Sequence, residues 1–588
     1  MAISQAMDSR TQSALSVSVD RRRVIPWVSA LVGDLAIMKL PAAERIVRDA
    51  IAISVLAVLI YWFLWCCACP VTNGDSRVYN LARLWLLERG GLFGNSHCLW
   101  SRHLTFPWTF DAAHYPFLYL HRGYEVPSFI CFLGILAAAY RMMQDRFGRD
   151  AGLVAIAGLL GLPMLVYQAV NTKNDLVIVF GVMVWFYALA HYVRRPSRLH
   201  IAMAALAIAV VVGSKTSGLV VAALALAVTP LAVPKVMWHR RHTAWFIGTI
   251  FIGLFFWSSW EIYLNNKLQF GSWLGDMTEY RSLVNHDGWR GILANHIRFI
   301  FSSCDLFIVP RPVRVAVGQW KGALGEKILS QLGLTGAGIA RLTLYPVGER
   351  DFLRVCKGVY AEATSTFGLL GMLTLFAAPI ALVIRRRWDL TCRFAAFSLA
   401  TFIILVSLMG WHPSGHRYLL VPFAFGFCAM AGFAYGSNRQ WTIWALRCIA
   451  LASLWLVPIV SVSKPIPLLP TAFSRPLDLL PSAETTVRKR LDKVAADKQL
   501  PLLLYCGPRA HIFYVFDRLR DNVIPIVKFD DVVFDKLKSR YGRNSFSVLV
   551  MNAEAPAMLS ALEPLDSKGE ERNTNPDTDI LAVWGGSQ

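Results

Sequence analysis

The sequence predicts a polytopic α-helical membrane protein of about eleven spans with a small C-terminal α/β domain. Three observations carry that expectation. The chain of 588 residues is 55% hydrophobic and only 16% charged, where a soluble domain carries about 25% charge. Its mean hydropathy is +0.45. Apolar runs close to the length of about 20 residues that crosses a bilayer recur through roughly the first 460 residues and then stop.

The runs fall near 50–70, 124–141, 151–170, 175–193, 200–214, 217–234, 243–264, 364–384, 392–410, 417–436 and 441–462. The stretch at 200–214 is short. Ser214, Lys215 and Thr216 interrupt the apolar pattern there, so it fits one half of a broken or re-entrant pair. The division that follows is 1–49, a cytoplasmic N-terminal segment; 50–463, the membrane domain; and 464–588, a linker and an extracytoplasmic α/β domain.

Net charge is +21, which taken alone would suggest a nucleic-acid partner. Its distribution points elsewhere. Residues 464–588 hold 17 Lys and Arg against 16 Asp and Glu, so nearly the whole excess belongs to the membrane part. There it sits in short runs between spans, as topology demands. With Arg21, Arg22 and Arg23 in the cytoplasm, "RMMQDRFGRD", "RRPSR", "KVMWHRRH", "RRRW" and "SNRQ" all fall inside. The loops 71–123, "NTKND", "SKTSG", 265–363, "WHPSGHR" and the tail fall outside. The expectation is N-terminus in, C-terminus out, with no nucleic acid.

The tail reads differently. Pro465, Pro467, Pro470, Pro476 and Pro481 make a stiff, extended linker. An amphipathic helix fits 482–498. Then "PLLLYC", "NVIPIVKF", "SFSVLVMN" and "ILAVWG" alternate with helical patterns near 509–520, 531–541 and 555–563, which predicts a mostly parallel sheet. No Gly-rich phosphate loop accompanies it. The 11 cysteines show no metal-ligand spacing, and their odd number argues against a disulfide framework. The first residues contain no apolar run that reads as a cleavable signal peptide.

Polar residues cluster on the side assigned as non-cytoplasmic: Asp75, Asp111, His114, Lys173, Asp175, Lys215, Glu261, His412, His416 and Arg417. Charges at such depth are expensive and are candidate functional groups. Each also has a plainer structural explanation. Asp75 can cap a helix beginning "SRVYNLARLWLL". Asp111 and His114 can be ordinary loop polar groups, and Lys173 and Asp175 can form a turn and a cap. Lys215, between two apolar runs, needs an anionic partner or an interface to reach. Arg417 opens a span on the side where cations are disfavoured. The residues after Asp75 have the spacing of an amphipathic helix lying in the membrane interface.

Taken in order, these segments resemble the GT-C superfamily of integral membrane glycosyltransferases, which includes protein O-mannosyltransferases and lipid A aminoarabinose transferases. "NGDSRVYNLARLWLLERGG" resembles the start of that family's first external loop. "LPMLVYQAVNTKNDLVIVFGVMVWFYAL" resembles a span junction of bacterial members, and "GSKTSGLVVAALAL" a Lys-containing helix break. "WEIYLNNKLQFGSWLG", "EATSTFGLLGMLTLF" and "WHPSGHRYLLVPFAF" resemble later segments. Two departures stand out. A Gly-Asn-Pro of many members reads Phe270-Gly271-Ser272-Trp273 here. The acidic pair of protein mannosyltransferases reads Asp75-Ser76, which weakens the case for a protein acceptor.

The resemblance implies a GT-C-like fold with interfacial helices in the first external loop. It implies transfer of a hexosyl or pentosyl group from a polyprenyl-phosphate donor to a lipid, glycan or protein acceptor of the cell envelope, at a bacterial inner membrane. Such chemistry needs a base for the acceptor hydroxyl, cations or a metal for the leaving phosphate and an apolar groove for the prenyl chain. The resemblance makes Asp75 the candidate base. Lys215 and Arg417 are the candidate phosphate binders, Arg as a bidentate and Lys as a point-charge donor, with Lys173 behind them. Asp175, Asp111, His114, His412 and His416 are candidate substrate-binding groups, and a divalent ion is an open alternative. The rival readings are a flippase or transporter of lipid-linked sugars and a non-catalytic scaffold. The first is disfavoured by the absence of an internal repeat, and the second leaves Asp75 and Lys215 unexplained.

Overall fold

The computed structural model describes residues 42–68, 80–84 apart from 82, and 107–475 apart from 121, 233–239, 258–259, 276, 305–309, 343–346, 358–364, 385–387, 438 and 462–463. It also describes five strands between 502 and 582. The chain divides into two compact units, 1–54 and 55–588. Of the first, the described part is the start of helix α1. Asp75 lies outside the described residues, as do the tail helices expected near 482–498, 509–520, 531–541 and 555–563.

In chain order the helices are α1 (Ala42–Cys67), α2 (Tyr115–Leu120), α3 (Val126–Phe147), α4 (Arg149–Leu160), α5 (Pro163–Ala169), α6 (Asp175–Arg194) and α7 (Arg198–Ser214). Then follow α8 (Thr216–Ala232), α9 (Arg240–Trp257), α10 (Trp260–Phe270), α11 (Met277–Leu283), α12 (Gly288–Ser303), α13 (Arg311–Gln331) and α14 (Glu349–Cys356). The last are α15 (Gly368–Ile384), α16 (Leu390–Leu408), α17 (Leu420–Gly436), α18 (Gln440–Val460) and α19 (Leu469–Ser474).

Helices occupy all eleven segments expected to span. Among the described residues, six are individually long and apolar enough: α1, α3, α6, α16, α18, and α17 with the 3-10 turn that leads into it. Two bent pairs raise this to eight, α4–α5 at 78° and α9–α10 at 67°. Gly161 and Leu162 break the first pair. Pro163 then opens α5, where its missing N–H costs nothing. The other three, α7, α8 and α15, are apolar but shorter. Seventeen residues at a rise of 1.5 Å reach about 26 Å, slightly less than a hydrocarbon core of about 30 Å.

Local chemistry sets several boundaries. Gly148, at φ +91°, reverses the chain between α3 and α4, a conformation that costs glycine little. The Asp389 carboxylate caps α16 by accepting from the Cys392 amide at 3.1 Å, and the Ser197 hydroxyl accepts from the His200 amide to open α7.

Helix α17 is buried nearly all round, so it lies inside the bundle, whereas α9 and α15 leave Phe256 77% and Val383 85% exposed. Apolar side chains displayed in this way suit a lipid solvent. Small residues let α17 approach its neighbours closely. A Cβ on Gly158 of α4 would fall 1.8 Å from the Phe427 ring, and one on Gly426 would meet Thr374 of α15 and Ser398 of α16. At one end of the bundle Asp150 of α4 accepts from Tyr435 of α17 at 2.5 Å and pairs with Arg447 of α18.

At the other end, the segment between α10 and α15 clamps the turn between α16 and α17. Val284 bridges Met409, and Ile339 bridges Trp411. The Asn285 amide donates to the Leu408 carbonyl at 3.0 Å, and the Trp411 amide donates to the Gly338 carbonyl at 2.7 Å.

In the tail, β1 (Leu502–Tyr505), β2 (Val523–Ile526), β3 (Ser547–Val550), β4 (Arg572–Asn575) and β5 (Thr578–Ala582) form one sheet of order β2-β1-β3-β5-β4. β1 pairs parallel with β2 and β3, while β5 runs antiparallel to β3 and β4. The sheet is therefore mixed, not mostly parallel. The short β4–β5 connection at 576–577 forces a hairpin, which no parallel pair permits.

The close α4–α17 crossing yields an expected outcome. Gly158→Ala overpacks it by about 1–3 kcal/mol, lowering the melting temperature of the detergent-purified protein by several degrees. An unchanged melting temperature would show that the two helices are not in contact at Gly158.

Candidate functional site

Lys215 organises the described polar cluster. It is the single extended residue between α7 and α8, at φ −163° and ψ 148°, so two apolar helices meet at a cation. Its side chain is 12% exposed and forms an ion pair with Asp175, which is 3% exposed at the first position of α6. The neighbouring Asn174 amide donates to the Ser214 carbonyl, satisfying one of the orphan carbonyls that end α7. The Tyr280 hydroxyl donates to Thr216 Oγ1 at 3.1 Å on the other side of the break. The break is thus held by α6 and by the segment before α12.

The turn between α16 and α17 supplies the rest. Lys215 Nζ sits over the Tyr418 ring, 4.6 Å from its centroid, and the Arg417 guanidinium lies over the same ring at 5.2 Å. Arg417 Nη2 donates to the Tyr418 hydroxyl at 3.2 Å. The His412 ring is 5.9 Å from that of Tyr418. Burial, then the charges of Arg417 and His416, push the His412 imidazole down to about 3, so it is neutral at ordinary pH. Asp175, Arg417 and Tyr418 line one narrow recess, floored by Ile178, Leu405 and Val421. A separate apolar groove lies on the other side of α16 and α17, lined by Phe402 and Phe423.

Lys173 is buried in the turn between α5 and α6. Its amide donates to Asn171 Oδ1 at 2.7 Å, and its charge acts on Asp175 together with those of Lys215 and Arg417. Thus Lys173, Asp175, Lys215, His412 and Arg417, five of the ten polar residues grouped from the sequence, converge from three loops. Tyr418, at the centre, was not singled out from the sequence. Its signal was its place directly after Arg417 at the start of a span.

Asp111 and His114 are placed differently. Asp111 Oδ2 accepts from Arg83 at 2.9 Å and Oδ1 from Asn80 at 3.1 Å, all three buried. Arg83 lies in the segment expected to be an interfacial helix. It points inward because Asp111 offers a buried carboxylate. Burial outweighs the Arg83 charge and the Asn80 hydrogen bond, raising the Asp111 carboxyl to about 6. His114, held down to about 4 mainly by burial, sets Nδ1 against the Phe110 and Asp111 carbonyls. Trp108 Nε1 donates to Glu261 at 3.0 Å, tying this loop to α10. Asp111 and His114 thus contact Arg83, Asn80 and the loop's own carbonyls. His416 turns toward Ser302 of α12, with Nε2 and Oγ 2.9 Å apart. Among the described residues no group of three or more His, Cys, Asp or Glu side chains is arranged to hold a metal ion.

A further buried pair escaped the sequence reading. Lys464, just after α18, pairs with Glu125 at the start of α3 and donates to the Val170 carbonyl. The Val170 carbonyl belongs to the turn that carries Lys173. The signal was a lysine directly after a long apolar span.

Comparison by sequence finds no matching family model and no match among curated proteins. Comparison by structure finds ArnT from Cupriavidus metallidurans bound to undecaprenyl phosphate, with a TM-score of 0.54 and 11% identity, over 91% of this chain and 99% of that one. Apo ArnT from the same organism gives 0.46 at 11% identity, over 91% and 98%. The first likeness extends over most of both chains and is one of fold. It bears out the fold implied by the motif resemblance.

Two outcomes follow. Lys215→Met strips a buried carboxylate of its ion-pair partner, a loss of about 3 kcal/mol. Adding Asp175→Asn should restore much of it, as a double-mutant cycle in denaturation midpoints would report; additive losses would deny the coupling. The raised carboxyl of Asp111 makes its ionisation oppose folding. Its contribution is fully present below about 4 and is lost as pH rises through about 6. The melting temperature of wild type minus that of Asp111→Asn should therefore fall between pH 4.5 and 7. A flat difference would remove the burial argument.

Proposed function

We propose that this protein is a membrane glycosyltransferase that moves a sugar from a polyprenyl-phosphate-linked donor to an acceptor hydroxyl on the non-cytoplasmic side. The observation that carries this reading is the convergence of Lys173, Lys215 and Arg417 on Asp175 and Tyr418 at one end of the helix bundle. A buried cation cluster beside apolar helix surface suits an anionic head on a long hydrocarbon chain. The fold likeness to ArnT bound to undecaprenyl phosphate supports the same donor class.

In this reading Lys215 and Arg417 hold the donor phosphate, with Lys173 adding positive potential and Asp175 fixing the direction of Lys215. The prenyl chain leaves along the apolar side of the recess, past Ile178, Val221, Leu405 and Val421. The acceptor oxygen attacks the anomeric carbon and its proton passes to the Asp75 carboxylate. The bond from the anomeric carbon to the phosphate oxygen breaks, and its electron pair stays on that oxygen. Negative charge grows there, so cations aimed at the phosphate stabilise the transition state more than the ground state.

The basic helix-end loops argue for an N-terminus inside and the cation cluster outside, at a bacterial inner membrane, with residues 464–588 as an extracytoplasmic appendage. The acceptor is a lipid, glycan or protein of the envelope. A flippase is disfavoured because the cluster lies at the helix ends and not at midplane, where transporter sites lie.

The test uses the full-length protein in detergent with radiolabelled polyprenyl-phosphate sugars and envelope extract. Wild type should form a labelled product and release polyprenyl phosphate. Asp75→Asn should abolish transfer while retaining binding of undecaprenyl phosphate. Full transfer by that variant would end the assignment of the base, and no binding by wild type would end the donor assignment.

A further inference from the structure

We infer that Tyr418 is the anion-positioning residue of this site, holding Lys215 and Arg417 in one arrangement and offering its own hydroxyl to the phosphoryl group. This rests on the donor reading above and deepens it.

Two like charges held over one ring repel each other, and in a partly desolvated site the repulsion is strong. Asp175 directly pairs with one of them, Lys215. Tyr418 engages both. Its ring places negative quadrupole density under Lys215 Nζ at 4.6 Å and under the Arg417 guanidinium at 5.2 Å. Its oxygen also accepts from Arg417 Nη2 at 3.2 Å. An aliphatic residue at this position would remove the one contact that the two cations share.

The hydroxyl has a second role. A phenol both accepts and donates. Its oxygen accepts from Arg417, which leaves its own proton available to an acceptor in the recess that Tyr418 lines with Arg417 and Asp175. The cations withdraw electron density from the ring and strengthen that donor. A phosphoryl oxygen there meets a guanidinium and an O–H, with the Lys215 ammonium held on the face of the same ring. The ring itself is fixed, because it lies in the 3-10 turn Gly415–Leu419 that leads into α17, directly after the segment that Val284 and Ile339 clamp at Met409 and Trp411.

The roles separate in two substitutions. Tyr418→Phe keeps the ring and removes the hydroxyl; Tyr418→Leu removes both. Binding to the detergent-purified full chain is measured with undecaprenyl phosphate and with undecaprenol, which has the same chain and no anion. The expected loss of undecaprenyl phosphate affinity is about tenfold for Tyr418→Phe, as for one hydrogen bond to a charged group. It is about a hundredfold for Tyr418→Leu, because both cation contacts are also lost. Undecaprenol binding should not change in either. Equal losses for both lipids would make Tyr418 a packing residue and overturn the inference. So would wild-type affinity in both variants, with the donor reading left intact. Failure of wild type to prefer the phosphate over undecaprenol would overturn both.

Discussion

A lysine at a one-residue break between two apolar helices needs an anionic partner or an interface to reach, and the described site is built around the anion that meets this need. Lys215 sits where the α7 carbonyls have run out of helical partners. Asp175 must therefore lie at the start of α6, close enough to pair with it. Asn174 must turn back to the Ser214 carbonyl. Once α6 is fixed at its first residue, the 170–174 turn is fixed too, and Lys173 is carried inward. The ion pair is costly to bury and its net contribution to stability is small. It settles the mutual register of α6, α7 and α8 at the end where polar groups gather.

The same device recurs at that end. Arg83 with Asp111 and Lys464 with Glu125 are also buried ion pairs joining chain segments remote in sequence. Lys464 further donates to Val170, so the chain leaving the membrane domain is tied to the turn carrying Lys173. The opposite end has its own anchors, Asp150 with Tyr435 and Arg447, and Asp145 with Arg194 and His191. One end of the bundle is bound by a structural lock, the other by pairs that also shape a site.

Helix positions were legible because a hydrocarbon solvent leaves the backbone little choice: every apolar run became a helix, and the interruption at Ser214–Thr216 became a break. Lys215 and Arg417 were legible as cations out of place. Their partners were less so. Nothing near Asp111 in the sequence says that Arg83, on a segment with amphipathic spacing, will turn inward to meet it. Glu125 and Lys464 stand 339 residues apart. Such pairings depend on which helix ends become neighbours, a property of the packed bundle. Span length was legible only in part, because composition marks a helix as apolar without saying whether it bends, as α4 and α5 do over Gly161–Leu162. Four of the tail's five strands lie within a few residues of the expected runs, but β4 (Arg572–Asn575) was not expected, because neither it nor the turn to β5 carries an apolar signal.

An anion site in an enzyme must also release its product. A cluster of cations with no carboxylate of its own would hold a phosphate monoester too long, since the leaving group gains charge as the sugar departs. Asp175 supplies a competitor. In the proposed reading, a bound donor phosphate makes Lys215 divide its donors between the phosphoryl oxygens and the carboxylate. When phosphate leaves, Asp175 takes back the full interaction, so the empty site pays no penalty for an unpaired ammonium. Arg417 has its own resting partner in the Tyr418 hydroxyl and ring. In the proposed reading such a site trades binding strength for turnover, and Asp175 sets the rate of release instead of making or breaking bonds.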